Sequence, residues 1–226
     1  MDTLHTDNLH AINQLCFQHG ATLVSVSKTK PVSLLQKAYD AGVRDFGENK
    51  AQELQAKQPE LPEDIRWHMI GHLQRNKVKY IAPFVHLIHS IDSLRLLKEV
   101  NKRARNEERI INVLLQMHIA EEDTKFGLDQ DELKELLESE AYAQMEHIKV
   151  CGLMGMATFT DDEAQIRREF QSLKQTFDNT KANYFADKDH FKELSMGMSG
   201  DYTIALEEGS TMIRVGSLIF GARDNH

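Results

Sequence analysis

Proline and glycine are scarce: the 226-residue sequence holds four prolines and twelve glycines, and none gathers into the Pro/Gly/Ser-rich linker that separates domains. A single domain over residues 1–226 is therefore expected, long enough to bury a sizeable core. Cysteine is scarcer still. Cys16 and Cys151 are the whole complement, too few for a disulfide framework, and two reduced thiols are the simpler reading. No run approaches the ~20 apolar residues that span a bilayer. The opening segment MDTLHTDNLHAINQLC lacks the basic start and apolar stretch of a signal peptide, so a cytoplasmic location away from membranes is expected. Positive charge is also in deficit. Twenty-seven basic residues face 35 acidic ones, a net charge of -8, whereas a duplex-binding protein needs a basic face to displace counterions from phosphates. Nucleic acid is thereby excluded as a partner. A GxSxG elbow, a P-loop and a dinucleotide fingerprint are all missing, which sets those enzyme classes aside.

What is present is a recurrence: a short apolar or β-branched run, a polar turn, then a segment with apolar residues three and four apart. Eight such runs occur, at Ala21–Ser27, Val43–Phe46, Arg66–Ile70, Leu87–Ser90, Ile111–Ile119, Ile148–Met156, Glu193–Gly197 and Met212–Val215. Helix signals lie between them. Pro31 suits a first helical turn and Gly42 a left-handed helix end. Asp129 with Glu132, and Thr160 with Glu163, have capping-box spacing. Ile166, Phe170, Leu173 and Phe177 fall on one helical stripe, as core requires. Eight βα units imply an α/β fold with parallel strands and right-handed crossovers, closed as a single (βα)8 barrel. Little chain follows the eighth run, so the N-terminal segment from about Asp7 to His19 is expected to complete the outer helical ring beside strands one and eight.

In a parallel barrel the C-terminal strand ends carry the chemistry, and here they are polar. Strand one ends in Ser27, Lys28, Thr29 and Lys30; strand two in Gly47, Glu48 and Asn49. A lysine beside an apolar strand is partly desolvated, which favours the neutral amine and suits Schiff-base chemistry. Extension to solvent is the commoner outcome for an isolated lysine near a strand end, and spacing leaves Lys28 and Lys30 both open. Lys125, after strand five, is a third strand-end lysine. The runs SMGMSGD (Ser195–Asp201) and RVGS (Arg214–Ser217) place small and hydroxyl residues after strands seven and eight, where barrels commonly bind phosphate. Arg214 interrupts a strand covered on both faces and needs a buried partner. A carboxylate on a neighbouring strand or the ring nitrogen of a bound pyridine would each serve. His68 with His72, and His86 with His89, invite a metal reading, but His68 lies in a strand and Gly71 interrupts the path to His72, so no HExxH-like helical face forms. No metal ligand is assigned.

Assembled in order, VSVSKTKP (Val24–Pro31), AGVRDFGEN (Ala41–Asn49), WHMIGHLQRNK (Trp67–Lys77), GLMGMA (Gly152–Ala157), LSMGMSGD (Leu194–Asp201) and GSTMIRVGSLIFGAR (Gly209–Arg223) cover nearly the whole chain. In these motifs the sequence resembles the pyridoxal phosphate homeostasis proteins, a family related to the barrel domain of alanine racemases. The resemblance implies pyridoxal 5′-phosphate (PLP) held as a Schiff base on Lys28, not Lys30. It also implies phosphate contacts from Ser195, Ser199, Gly216 and Ser217 with backbone near Met198, Arg214 against the pyridine nitrogen, and Asn49 and Met156 lining the ring. His72, Gly200 and Ser217 depart from the residues most frequent in the family at those positions, without removing a ligand.

The function implied is a PLP carrier in vitamin B6 homeostasis with little or no turnover, monomeric, with PLP-dependent apoenzymes as the recipients. Racemases of the related group use a second acid/base, usually a tyrosine, from an additional β domain that this sequence does not show. Two enzymatic alternatives remain at this level: a PLP-dependent racemase or eliminase of narrow range, and a Schiff-base aldolase taking a sugar phosphate.

Overall fold

The computed structural model describes residues 3–121 and 126–221. Eight strands, β1 (Thr22–Val26), β2 (Asp45–Glu48), β3 (Arg66–Met69), β4 (Leu87–Ile91), β5 (Ile111–Gln116), β6 (Ile148–Met154), β7 (Glu193–Ser195) and β8 (Met212–Val215), close into one parallel barrel in chain order. Thr22 to Ser25 pair with Met212 to Val215 to shut it. Helices on the described chain are α1 (Thr6–Gln18), α2 (Val32–Asp40), α3 (Ala51–Lys57), α4 (Val78–Ile81), α5 (Leu94–Asn106), α6 (Gln130–Glu138), α7 (Glu140–Ala143), α8 (Glu163–Tyr184), α9 (Tyr202–Glu207) and α10 (Ser217–Phe220). None is long and apolar enough to cross a membrane. Lys125 lies outside the described residues.

Period two in the strands divides each between two environments. One set of side chains, including Phe46, Ile88, Leu115 and Leu153, meets the helical ring. The other, including Val24, Leu87, Leu114, Met154 and Met212, fills the barrel interior. Helix α1 takes the expected place in the ring. It buries Leu9, Ile12 and Cys16, packs on β1 and α10, and is tied to the chain after β8 by the His5 N–H donating to the Ile219 carbonyl and Asn8 Nδ2 donating to the Leu218 carbonyl, each at 2.8 Å. The stripe Ile166, Phe170, Leu173 and Phe177 is buried along α8.

Two local expectations are corrected. Strand two begins two residues later than Val43 and runs through Gly47 and Glu48, residues of low strand propensity. Gly42, at φ +100°, and Val43 are used in leaving α2, with the Val43 N–H donating to the Ala38 carbonyl at 3.0 Å. Barrel closure then overrides propensity, because a Cβ on Gly47 would lie 2.9 Å from the interior Val24 side chain. The capping box at Asp129 and Glu132 is formed in both directions, at 2.8 and 2.9 Å. Thr160 and Glu163 form none. Asp162 caps α8 by accepting from the Gln165 N–H, while the Thr160 hydroxyl accepts from the Asp162 N–H. A carboxylate at the cap also complements the positive helix end, which a threonine hydroxyl does not.

Candidate functional site

A cavity of about 600 Å³ opens at the C-terminal mouth of the barrel. It is lined by Lys28 and Lys30 from the β1 loop, Asn49 after β2, Gln116 at the end of β5, Met156 after β6, Met198 and Ser199 after β7, and Arg214, Gly216 and Ser217 on and after β8. Loops distant in sequence thus converge on one space. Glycine permits one of these approaches: a Cβ on Gly71 would lie 2.4 Å from the Asn49 carbonyl oxygen, so any larger residue would push the loops after β2 and β3 apart.

The loop carrying Lys28 is held from below by a buried ionic cluster. Lys57 Nζ donates to the Ser27 carbonyl at 2.8 Å, to Glu48 Oε1 at 2.8 Å and to Glu53 Oε1 at 2.7 Å. Glu48 Oε1 also accepts from the Ser27 hydroxyl at 2.6 Å, and Glu53 Oε1 from the Thr29 N–H at 2.5 Å. Thr29 takes a left-handed φ of +65°, an uncommon conformation for a residue with a Cβ; the cluster clamps the loop on either side of Lys28. Burial pushes the Glu48 carboxyl up to about 7, against the pull of Lys57 and the Ser27 hydroxyl.

Arg214 answers the question its position posed. It is 3% exposed, and its Nη1 donates to Ser195 Oγ at 2.5 Å and its Nη2 to the Gly155 carbonyl at 3.2 Å. It forms no ion pair among the described residues. Burial lowers its pKa to about 10, with the negative charge of Asp201 opposing, so it stays cationic at neutral pH. Ser195 therefore sits elsewhere than the resemblance implies. It is fully buried inside the barrel, supports Arg214, and does not line the cavity. The cause is register: Ser195 lies opposite Met212 and Met154 within the sheet, below the loop that bears Ser199.

At the expected phosphate end, the Gly216 N–H points to Ser199 Oγ at 3.4 Å. A Cβ on Gly216 would meet the Val26 carbonyl at 2.8 Å, so glycine is needed for the backbone to sit this close to β1. Ser217 follows at the start of α10. Met198 lines the cavity, and its amide donates to Asp201 Oδ1 at 2.6 Å.

Residues 5–224 match the family described as alanine racemase, N-terminal domain. A pyridoxal phosphate homeostasis protein of Aquifex aeolicus is 37% identical over 221 residues, 95% of each chain. The chain belongs to the pyridoxal phosphate homeostasis protein family. Among solved structures similar to this family member is PipY of Synechococcus elongatus with PLP bound, 32% identical, with a TM-score of 0.84 over 96% of this chain and 99% of that one. The alanine racemase of Bartonella henselae, with covalently bound pyridoxal phosphate, shares the fold at 14% identity and a TM-score of 0.70, over 100% of this chain and 63% of the racemase.

Several residues of this homeostasis-family site are not evident from sequence. Lys57, Glu48 and Glu53 brace the lysine loop, yet Glu53 and Lys57 read as an ordinary surface i,i+4 pair. His72 and Phe126 stack at 4.0 Å between ring centroids on the cavity rim, a contact between the loops after β3 and β5 that no local pattern announces.

Proposed function

We propose that this chain binds PLP in the mouth cavity through Lys28 and serves PLP homeostasis with little or no catalytic turnover. The observation that carries the reading is the convergence on one cavity of a strand-end lysine, a buried permanent cation and a glycine–serine pair. These residues fit PLP's three recognition groups. Lys28 would meet its aldehyde, Arg214 its ring nitrogen, and Ser199, Gly216 and Ser217 its phosphate, with Asn49 and Met156 beside the ring. Bound PLP supplies an aldehyde that condenses reversibly with amines and a ring that withdraws electrons from what is attached. A guanidinium at the ring nitrogen donates a hydrogen bond without surrendering its proton, which leaves the nitrogen uncharged and the withdrawal weak.

Low turnover is consistent with what surrounds that ring. The tyrosine that racemases of the related group use as second acid/base has no counterpart among the described residues lining the cavity. The same proposal makes the protein a cytoplasmic monomer of one domain over residues 1–226, with PLP-dependent apoenzymes as recipients.

The test is an absorbance spectrum of protein incubated with PLP, followed by borohydride reduction and peptide mass mapping. A pyridoxyl adduct on the Lys28 peptide is expected, lost in Lys28→Ala and kept in Lys30→Ala. An adduct surviving Lys28→Ala, or none in the wild type, overturns the reading. Rapid α-proton exchange of a common amino acid in deuterated water would overturn its non-catalytic half.

A further inference from the structure

We propose that Ser195, His89, His68 and Asp45 form a one-way hydrogen-bond chain through the barrel that positions Arg214 for the ring nitrogen of the cofactor. The inference rests on the reading above for what occupies the cavity, while the chain itself is a property of the protein alone.

Among interior apolar side chains such as Val24, Leu87, Leu114 and Met212, five polar side chains cross the barrel with exposures of 8% or less. Arg214 Nη1 lies 2.5 Å from Ser195 Oγ, Ser195 Oγ 2.8 Å from His89 Nδ1, His89 Nε2 2.9 Å from His68 Nδ1, and His68 Nε2 2.9 Å from Asp45 Oδ1. One end, Arg214, lines the cavity at the C-terminal mouth. The other end, Asp45, begins β2 at the opposite mouth, where it accepts from Arg66 at 2.8 and 2.5 Å and lines a second cavity of about 330 Å³.

Hydrogen-bonding capacity fixes the direction. A guanidinium only donates and a carboxylate only accepts. Ser195 Oγ accepts from Arg214, so its own hydrogen goes to its remaining partner, His89 Nδ1. With Nδ1 accepting, His89 carries its hydrogen on Nε2 and donates to His68 Nδ1. His68 in turn carries its hydrogen on Nε2 and donates to Asp45. Every bond therefore runs from Arg214 to Asp45. Reversal would present Ser195 with two donors and leave its hydrogen without an acceptor. Burial first, with the cationic Arg214 beside it, holds His89 well below the ordinary histidine range, consistent with a neutral ring.

Stability does not explain such a chain, because well-packed apolar residues serve a core at least as well. Orientation does. Arg214 forms no ion pair among the described residues, and the chain fixes one guanidinium edge on Ser195 while linking it, through Ser195, His89 and His68, to the carboxylate of Asp45. The four residues touch no ligand and act only through Arg214, so they are positioning residues.

The test has two parts. In apo protein, nitrogen-15 NMR is expected to show His68 and His89 both as the Nε2–H tautomer. Protonation at Nδ1 of either ring overturns the proposal, whether or not any variant folds. Ser195→Ala, checked for an unchanged circular dichroism spectrum, is then expected to raise the PLP dissociation constant about tenfold, as loss of support for one charged hydrogen bond would, and to move the absorbance maximum while the Lys28 adduct still forms. A folded Ser195→Ala with wild-type affinity and spectrum also overturns it. Wild-type protein that takes no PLP would refute the binding reading instead, leaving the tautomer result to stand or fall separately.

Discussion

Replacing Glu48 by glutamine isolates the pH dependence that the buried cluster beneath Lys28 gives to folding. Glu48 is fully buried, its Oε2 has no partner, and its carboxyl is raised by burial from 4.5 to about 7 although Lys57 and Ser27 oppose the rise. An acid with a raised folded pKa binds more protons folded than unfolded between the two values. Its stabilising contribution is therefore present below the unfolded value and is lost as pH climbs through the folded one. At about 1.4 kcal/mol per tenfold change in the proton equilibrium, the loss between pH 4.5 and pH 7 is roughly 3 kcal/mol, a large fraction of a typical 5–15 kcal/mol.

Wild-type stability alone would not display this cleanly. His89, held neutral by burial, acts oppositely: its folded pKa is depressed, so stability rises as pH climbs toward the unfolded histidine value near 6.5. The readout is accordingly the difference between two sets of urea unfolding curves, wild type minus Glu48→Gln, taken from pH 4.5 to 8. The substituted amide retains an acceptor for Ser27 and Lys57 but does not titrate, and His89 cancels. The difference is expected to fall by roughly 3 kcal/mol over the window and then level. A difference that is flat, or that rises with pH, would refute the reasoning.

Other outcomes follow from the same structure. Lys57→Met removes the charge that pulls the Glu48 carboxyl down toward 7, so the fall in melting temperature is expected to be larger at pH 8 than at pH 5, approaching at pH 8 the about 3–5 kcal/mol of a one-sided loss of a buried pair, at about 2–4 °C per kcal/mol for a chain of this size. Gly71→Ala puts a Cβ 2.4 Å from backbone of Asn49, an overpacking that costs about 1–3 kcal/mol in thermal unfolding. Cys16 and Cys151 are buried, and burial pushes both thiols up to about 11. A thiol-specific disulfide reagent at pH 8 should therefore leave both unlabelled until denaturant is added, and prompt labelling of the native protein would contradict their placement.

The barrel was legible because its signal is repetitive. Runs such as Ile111–Ile119 and Ile148–Met156 are apolar enough to read as doubly covered strands, and eight runs separated by amphipathic segments leave little choice of architecture. Misplacement occurred where tertiary contacts outweighed local preference. Gly47 and Glu48 carry no strand signal, and their inclusion in β2 depends on the fit of Gly47 against Val24 and of Glu48 over Lys57. The shift is small in residues but not in chemistry, because it takes Glu48 out of the loop and buries it under the lysine.

The site was legible in outline and illegible in depth, for one physical reason. Residues that end strands announce themselves by interrupting an apolar run at a place where parallel barrels expose their loops, and Lys28, Asn49, Ser199, Arg214 and Ser217 were found that way or through the motifs around them. Residues that face into the barrel give no such sign, because a polar side chain inside is tolerated only through partners on other strands, 21 residues away for His68 and His89 and 106 for His89 and Ser195. From the sequence these two histidines read only as members of pairs that fail as a metal site, and the family resemblance implies Ser195 as a phosphate contact. Once the strands are curled into register, each becomes the other's solution: His89 supplies the acceptor that frees Ser195 to receive Arg214, and His68 the acceptor for the hydrogen that His89 carries. The partners demanded by a guanidinium in a covered strand are thus a serine hydroxyl and a backbone carbonyl, with a carboxylate four hydrogen bonds away at the far mouth of the barrel.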